Sequence, residues 1–110
     1  MKKIITFAFA LSFQQVFSQL ISGGVVDVNR RLLTSTDFTM KGTKEGVVVY
    51  DLAVDINGNI SSETLVTSMT TIASTPVRME VRNYLKTLKF EPGTSYPKFH
   101  HVTVKITIAT

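Results

Sequence analysis

The sequence predicts an α+β fold: a three-stranded antiparallel sheet with one main helix packed on one face, in the order β-β-α-β. Three observations predict it. Gly46 to Ile56 alternates with a period of two and runs into Asn57-Gly58. Val77, Val81, Tyr84, Leu85 and Leu88 recur at helical spacing. Val102, Val104, Ile106 and Ile108 then alternate with His101, Thr103, Lys105 and Thr107. A period of two marks a strand with one buried face, and a spacing of three and four marks a helix with one buried stripe. A sheet covered on one face by a helix buries all three sets together.

The chain starts with a segment outside this pattern. Lys2 and Lys3 precede an apolar run from Ile4 to Phe13, the length of a signal-peptide core and about half of what a spanning helix needs. Val16-Phe17-Ser18 places modest residues before a cut, so residues 1–18 read as a signal peptide and Gln19 as the mature start. An uncleaved anchor is the competing reading, and the polar Gln14-Gln15 pair argues against it. Lys2 and Lys3 account for two of the four net positive charges, which leaves +2 on the remainder. The other basic residues are scattered apart from Arg30-Arg31, unlike the clustered face of a nucleic-acid binder. With no cysteine the chain has neither disulfide nor thiol chemistry. A domain of about ninety residues must therefore stand on one small core.

Residues 19–44 read as an N-terminal arm. Gly23-Gly24 makes its entry flexible. Val25 to Val28 suits a short strand, or Asp27 to Leu33 a short helix, and Leu32, Leu33 and Phe38 are its apolar contacts. The domain proper, 45–110, opens with the strand Gly46 to Ile56. Its core face carries Val48, Tyr50, Leu52 and Val54, and its other face Val47, Val49, Asp51, Ala53 and Asp55. Asn57-Gly58 specifies a tight hairpin, because both residues tolerate positive φ. In the returning strand, Asn59 to Thr67, Ile60 and Leu65 can share a face only across a bulge. Ser68 to Ser74 is a polar loop with Ile72 as its anchor. Thr75-Pro76 is the helix start, with Thr75 at the cap and proline at the first helical position. Arg78, Arg82, Lys86 and Lys89 occupy the helix's other faces, and Pro92-Gly93 closes the element.

Val54-Asp55-Ile56-Asn57-Gly58-Asn59, followed by a helix ending in Lys89-Phe90-Glu91-Pro92 and by a closing alternating strand, resembles the C-terminal domain of TonB-type energy transducers. The likeness runs from about Glu45 to Ile108. It implies a three-stranded antiparallel sheet with helices on one face. It also implies that the last strand is a sheet edge, pairing with a short extended segment, the TonB box, of an outer-membrane transporter. TonB proper has a membrane helix and a long proline-rich spacer. Nothing between Gln19 and Glu45 resembles that spacer, and no Tyr-Pro motif precedes the first strand. The expectation is thus a short stand-alone TonB-like periplasmic protein that does not itself transmit a pull.

Catalytic and metal chemistry find no constellation. His100 and His101 are neighbours on a strand and point to opposite faces, which suits edge or surface histidines and not a shared metal. Asp51 and Asp55 lie roughly 13 Å apart by strand rise, too far to act together on one bond, and read as solubilising residues. Gly23-Gly24 lacks the Gly-Lys-Ser or Gly-Lys-Thr of a phosphate loop. The chain therefore reads as no enzyme, with no cofactor, metal, small-molecule substrate or nucleic acid. Tyr50, Tyr84 and Tyr96 read as core, helix-stripe and loop residues.

The functional reading is a periplasmic interaction module. Its peptide-binding edge is Val102, Thr103, Val104, Lys105, Ile106 and Thr107, where main-chain groups give affinity and side chains selectivity. Thr103, Lys105 and Thr107 would tune the contact from the open face, and Lys105 guards the edge against self-pairing. The partner is an outer-membrane transporter or another periplasmic protein, and a homodimer through the same strand is a variant. The alternative is a structural envelope domain that binds peptidoglycan or a periplasmic complex, with Arg30, Arg31 and the helix cations as its contact.

Overall fold

A computed structural model of the chain describes residues 20–110. The signal-peptide reading of residues 1–18 lies outside them. Among the described residues no helix is long and apolar enough to cross a membrane. The fold is α+β, with five strands instead of three. In chain order they are β1 (Leu20–Ser22), the single-turn helix α1 (Gly24–Asp27), β2 (Thr39–Lys41), β3 (Gly46–Val54), β4 (Ile60–Leu65), a 3-10 turn at Thr67–Met69, α2 (Thr75–Leu85) and β5 (His100–Ala109). The sheet runs β1-β5-β3-β4, and β2 also pairs with β5. Every pairing is antiparallel except β2 with β5, which is parallel.

The two long strands form the centre of the sheet. β3 pairs with β5 over its whole length, from Gly46 opposite Ile108 to Val54 opposite His100. On the face under α2, Val48, Tyr50, Leu52 and Val54 meet Val102, Val104, Ile106 and Ile108, all buried. Both alternations therefore bury the faces the sequence assigns. Val49 and Ala53, on the opposite face of β3, are buried as well. Val81, Leu85 and Leu88 descend from the helix segment into the same cluster, with Val77 and Tyr84 at its margin.

α2 is capped by Ser74, whose Oγ accepts from Val77 N at 3.5 Å, so the cap lies one residue before the expected Thr75. The helix ends at Leu85, and Lys89-Phe90 is extended instead of helical. Phe90 is fully buried and donates its N–H to Gly58 O at 2.8 Å. This is the main-chain reason for glycine in the hairpin turn. Gly58 has φ 85°, and a side-chain carbon there would run into the Phe90 carbonyl. The expected bulge is present: the β3–β4 register shifts between Ala53 and Val54, which lets both Ile60 and Leu65 pack on the core.

The N-terminal arm differs most from expectation. A single helical turn at Gly24–Asp27 replaces the expected Val25–Val28 strand, and of the expected Asp27–Leu33 helix only Asp27 is helical. Val25 is completely buried and Phe38 nearly so, and both belong to the one core cluster. Leu32 packs against that core and bridges to Phe90, whereas Leu33 is half exposed and makes no such contact. The arm is thus part of the fold and contributes two strands that the three-stranded reading lacks.

Candidate functional site: the outer edge of the last strand

β5 is not the edge strand that the sequence reading takes it to be. β3 lies along one side of it, and two short strands from the arm lie along the other. β1 pairs antiparallel with it, Leu20 opposite Val104 and Ser22 opposite Thr103. β2 pairs in parallel, Thr39 opposite Thr107 and Lys41 opposite Ala109. Thr107 N donates to Phe38 O at 2.9 Å, and Gly42 N to Ala109 O at 2.8 Å. Among the described residues no strand lies opposite Lys105 and Ile106 on this side. The physical reason is the strand's composition: four buried Val and Ile residues on an open edge would invite pairing with other chains. The arm covers that edge from within.

The six residues assigned to the edge divide by face. Val102, Val104 and Ile106 are fully buried under α2 and present no side chain to a partner. Thr103, Lys105 and Thr107 alternate with them and are half-buried on the opposite face. His101 is exposed on that face, with Nδ1 3.4 Å from Asp51 Oδ2. Asp55 is not merely solubilising, since its Oδ1 accepts from Asn57 N and Asn59 N at 2.9 Å each and so shapes the hairpin turn.

The two ends of the cover are held differently. β2 is bound through Phe38 in the core. β1 has no buried residue, since Leu20 is half-buried and Ile21 and Ser22 are exposed. It is joined to the rest of the arm by Gly23, which has φ 111°, where a side chain would strike the His101 carbonyl. Strand segments with so little burial open locally at small cost. Gly23 is a natural hinge for such an opening.

Beyond the hinge, Arg30 locks the arm down. It is buried, not part of a solvated pair. Its Nε donates to Glu91 O at 2.8 Å and its Nη2 to Asp55 O at 2.8 Å, and Nη1 lies 3.1 Å from His100 Nδ1. The guanidinium sits 4.1 Å over the Tyr96 ring. Tyr96 in turn stacks on His100 at 5.5 Å and hydrogen-bonds Glu91 Oε1 at 3.1 Å. Arginine has donors only, so Nδ1 of His100 must accept, and the ring proton is on Nε2, facing the Gly24 backbone. Burial, and then the Arg30 charge, push His100 below the ordinary histidine range, against an opposing hydrogen bond to Gly24. His100 is therefore a buried, neutral partner, not an edge or surface histidine.

Arg31 is exposed, and among the described residues only its carbonyl is engaged, accepting from Glu91 N at 2.8 Å. Arg78 Nε donates to Ile72 O at 2.6 Å, and Arg82 is tied through Nε alone to Glu63 Oε1 at 2.8 Å. The side chains assigned to an envelope contact thus do not form one patch. Sequence reasoning missed the β1 and β2 pairings and the Arg30–His100–Tyr96 cradle. Three-residue strands carry no readable period. The cradle joins residues far apart in the chain, and its one local sign is an arginine among apolar arm residues.

No family model matches the chain, and neither the curated proteins nor the solved structures provide a match.

Proposed function

We propose that this chain is a periplasmic protein-interaction module that takes up an extended, TonB-box-like segment of an outer-membrane transporter or another periplasmic protein by strand addition to β5. The observation that supports this reading is that the outer side of β5 already accepts extended segments, antiparallel at Thr103–Val104 and parallel at Thr107–Ala109. In strand addition the main chain supplies most of the affinity. β1 would act as an intramolecular stand-in for the partner. Because β1 buries little and is joined to the arm through Gly23, it is the part to be exchanged, while β2 stays in place on Phe38. The partner would then run along Thr103 to Lys105, with Thr103 and Lys105 offering side chains from the face away from α2.

The test is capture of transporters from envelope extract by the protein and two variants. Deleting Leu20–Ser22 removes the competitor and should increase capture. Lys105→Pro removes a main-chain donor from the strand and should abolish it, once circular dichroism shows the fold intact. Amide exchange should show protection gained from Thr103 to Lys105. Unchanged capture on deleting β1, or protection confined to Arg31 and the helix cations, contradicts strand addition here and favours an envelope-binding role.

A further inference from the structure

The opposite rim of the sheet is bridged just before β4, where Lys89 lies against Asn59 and Phe90 N donates to Gly58 O at 2.8 Å. β4 pairs with β3 alone, and among the described residues no strand lies on its outer side. Val66 N donates to Val49 O at 2.8 Å. By the alternation of an antiparallel ladder, Thr64 and Ser62 also turn their main-chain groups towards β3, and Glu63 and Leu65 turn theirs outwards. Neither proline nor lysine blunts this edge. Beside it α2 overhangs a hollow of about 440 Å³, lined by Ile60, Ser61, Ser62, Glu63, Arg82 and Lys86.

The charges at this rim decide what fits it. Arg82 uses Nε on Glu63, and its two terminal nitrogens make no hydrogen bond among the described residues. Lys86, one turn on, is exposed and makes no ion pair among them. One carboxylate thus faces two cations, and the rim is left with a net positive charge. A second copy joined antiparallel at β4 would set two α2 helices side by side on one sheet face, with Arg82 and Lys86 of each facing like charges. That arrangement is disfavoured. An extended segment carrying an acidic side chain meets no such penalty.

We propose that the outer edge of β4 is a second docking site, distinct from β5, for an extended acidic segment of a partner protein. The main chain of the segment pairs with Glu63 and Leu65, and a carboxylate reaches Lys86 and the free end of the Arg82 guanidinium.

Two synthetic peptides test this with the full chain: an alternating Thr/Val peptide of about eight residues with two central Glu residues, and its counterpart with Lys in their place. NMR titration should show the acidic peptide shifting the Glu63 and Leu65 amides, with the Lys peptide about three- to tenfold weaker. Lys86→Glu, with unchanged circular dichroism, should reverse that order, and Lys86→Gln should reduce the acidic preference without inverting it. Equal binding of both peptides overturns the proposal, as does no binding. So does a concentration-dependent dimer that protects Glu63 and Leu65 without peptide. Shifts confined to Leu20–Ser22 and Thr103–Lys105 also overturn it, while leaving the β5 reading intact.

Discussion

β5 and β4 both flank β3, and of these two, among the described residues, only β4 lies at an end of the sheet. β5 carries Val102, Val104, Ile106 and Ile108 on one face, and the chain folds its own arm along the strand's outer side. β4, with the sequence Ile-Ser-Ser-Glu-Thr-Leu, has no strand on its outer side among the described residues. The apolar strand is shielded and the polar strand forms the rim, as expected if an exposed edge is tolerable only where it does not attract other chains. Within the shielded side a further contrast holds. β2 is fastened to the core, and β1 rests on the strand beyond a glycine hinge.

The largest test of this contrast is Phe38→Ala. If the arm is integral to the core, the substitution costs about 3–5 kcal/mol in chemical denaturation, comparable to Leu85→Ala at about 2–5 kcal/mol. A loss below about 0.5 kcal/mol, typical of a surface position, would mean that the arm merely leans on the domain. Arg30→Ala comes next. It leaves the Glu91 carbonyl and His100 Nδ1 without their donor and removes one of the two donors to the Asp55 carbonyl, which keeps Gly58 N, and should cost about 2–4 kcal/mol. A near-neutral result would show that the latch adds nothing to the shielded side.

Most of the long-range architecture was legible in the sequence, and the reason lies in length. Nine residues of β3 and ten of β5 are enough for a period of two to declare both the element and its buried face. The α2 stripe and the hairpin glycine were legible for the same kind of local reason. The site was less legible. Whether a strand is central or at an edge depends on what lies beside it, and its neighbours here are two three-residue strands with no period of their own. Arg30-Arg31 looks like one solvated pair in sequence, yet one side chain is buried in a cradle and the other is exposed. Only the tertiary placement of Tyr96, Glu91 and His100 makes that difference.

A smaller effect follows from His100. Its folded-state pKa lies below the unfolded value of about 6.5, because burial and then Arg30 disfavour the imidazolium. Arg30, His101, Asp27 and Tyr96 are the charged or titratable groups around it. The native state therefore binds the proton less readily than the unfolded chain. This contribution to stability is fully present above about pH 6.5 and is lost as the pH falls through the folded-state pKa. Denaturation midpoints measured across this range should fall on acidification. His100→Asn keeps an acceptor for Arg30 without a titrating ring and should flatten the slope. An unchanged slope would place the acid sensitivity elsewhere. The smallest effect is expected on the open rim, where Thr64→Ala should change stability by less than about 0.5 kcal/mol. A larger loss would mean that β4 is held by something beyond its pairing with β3.

Native-state amide hydrogen exchange compares the two edges directly. The Thr107 amide, which donates to Phe38 O from the outer side of β5, should exchange only with opening of the core. The outward-facing Glu63 and Leu65 amides of β4 should exchange at nearly unprotected rates, because such groups open at almost no free-energy cost. Thr107 exchanging as fast as Glu63 would contradict the account, since the arm would then not cover β5.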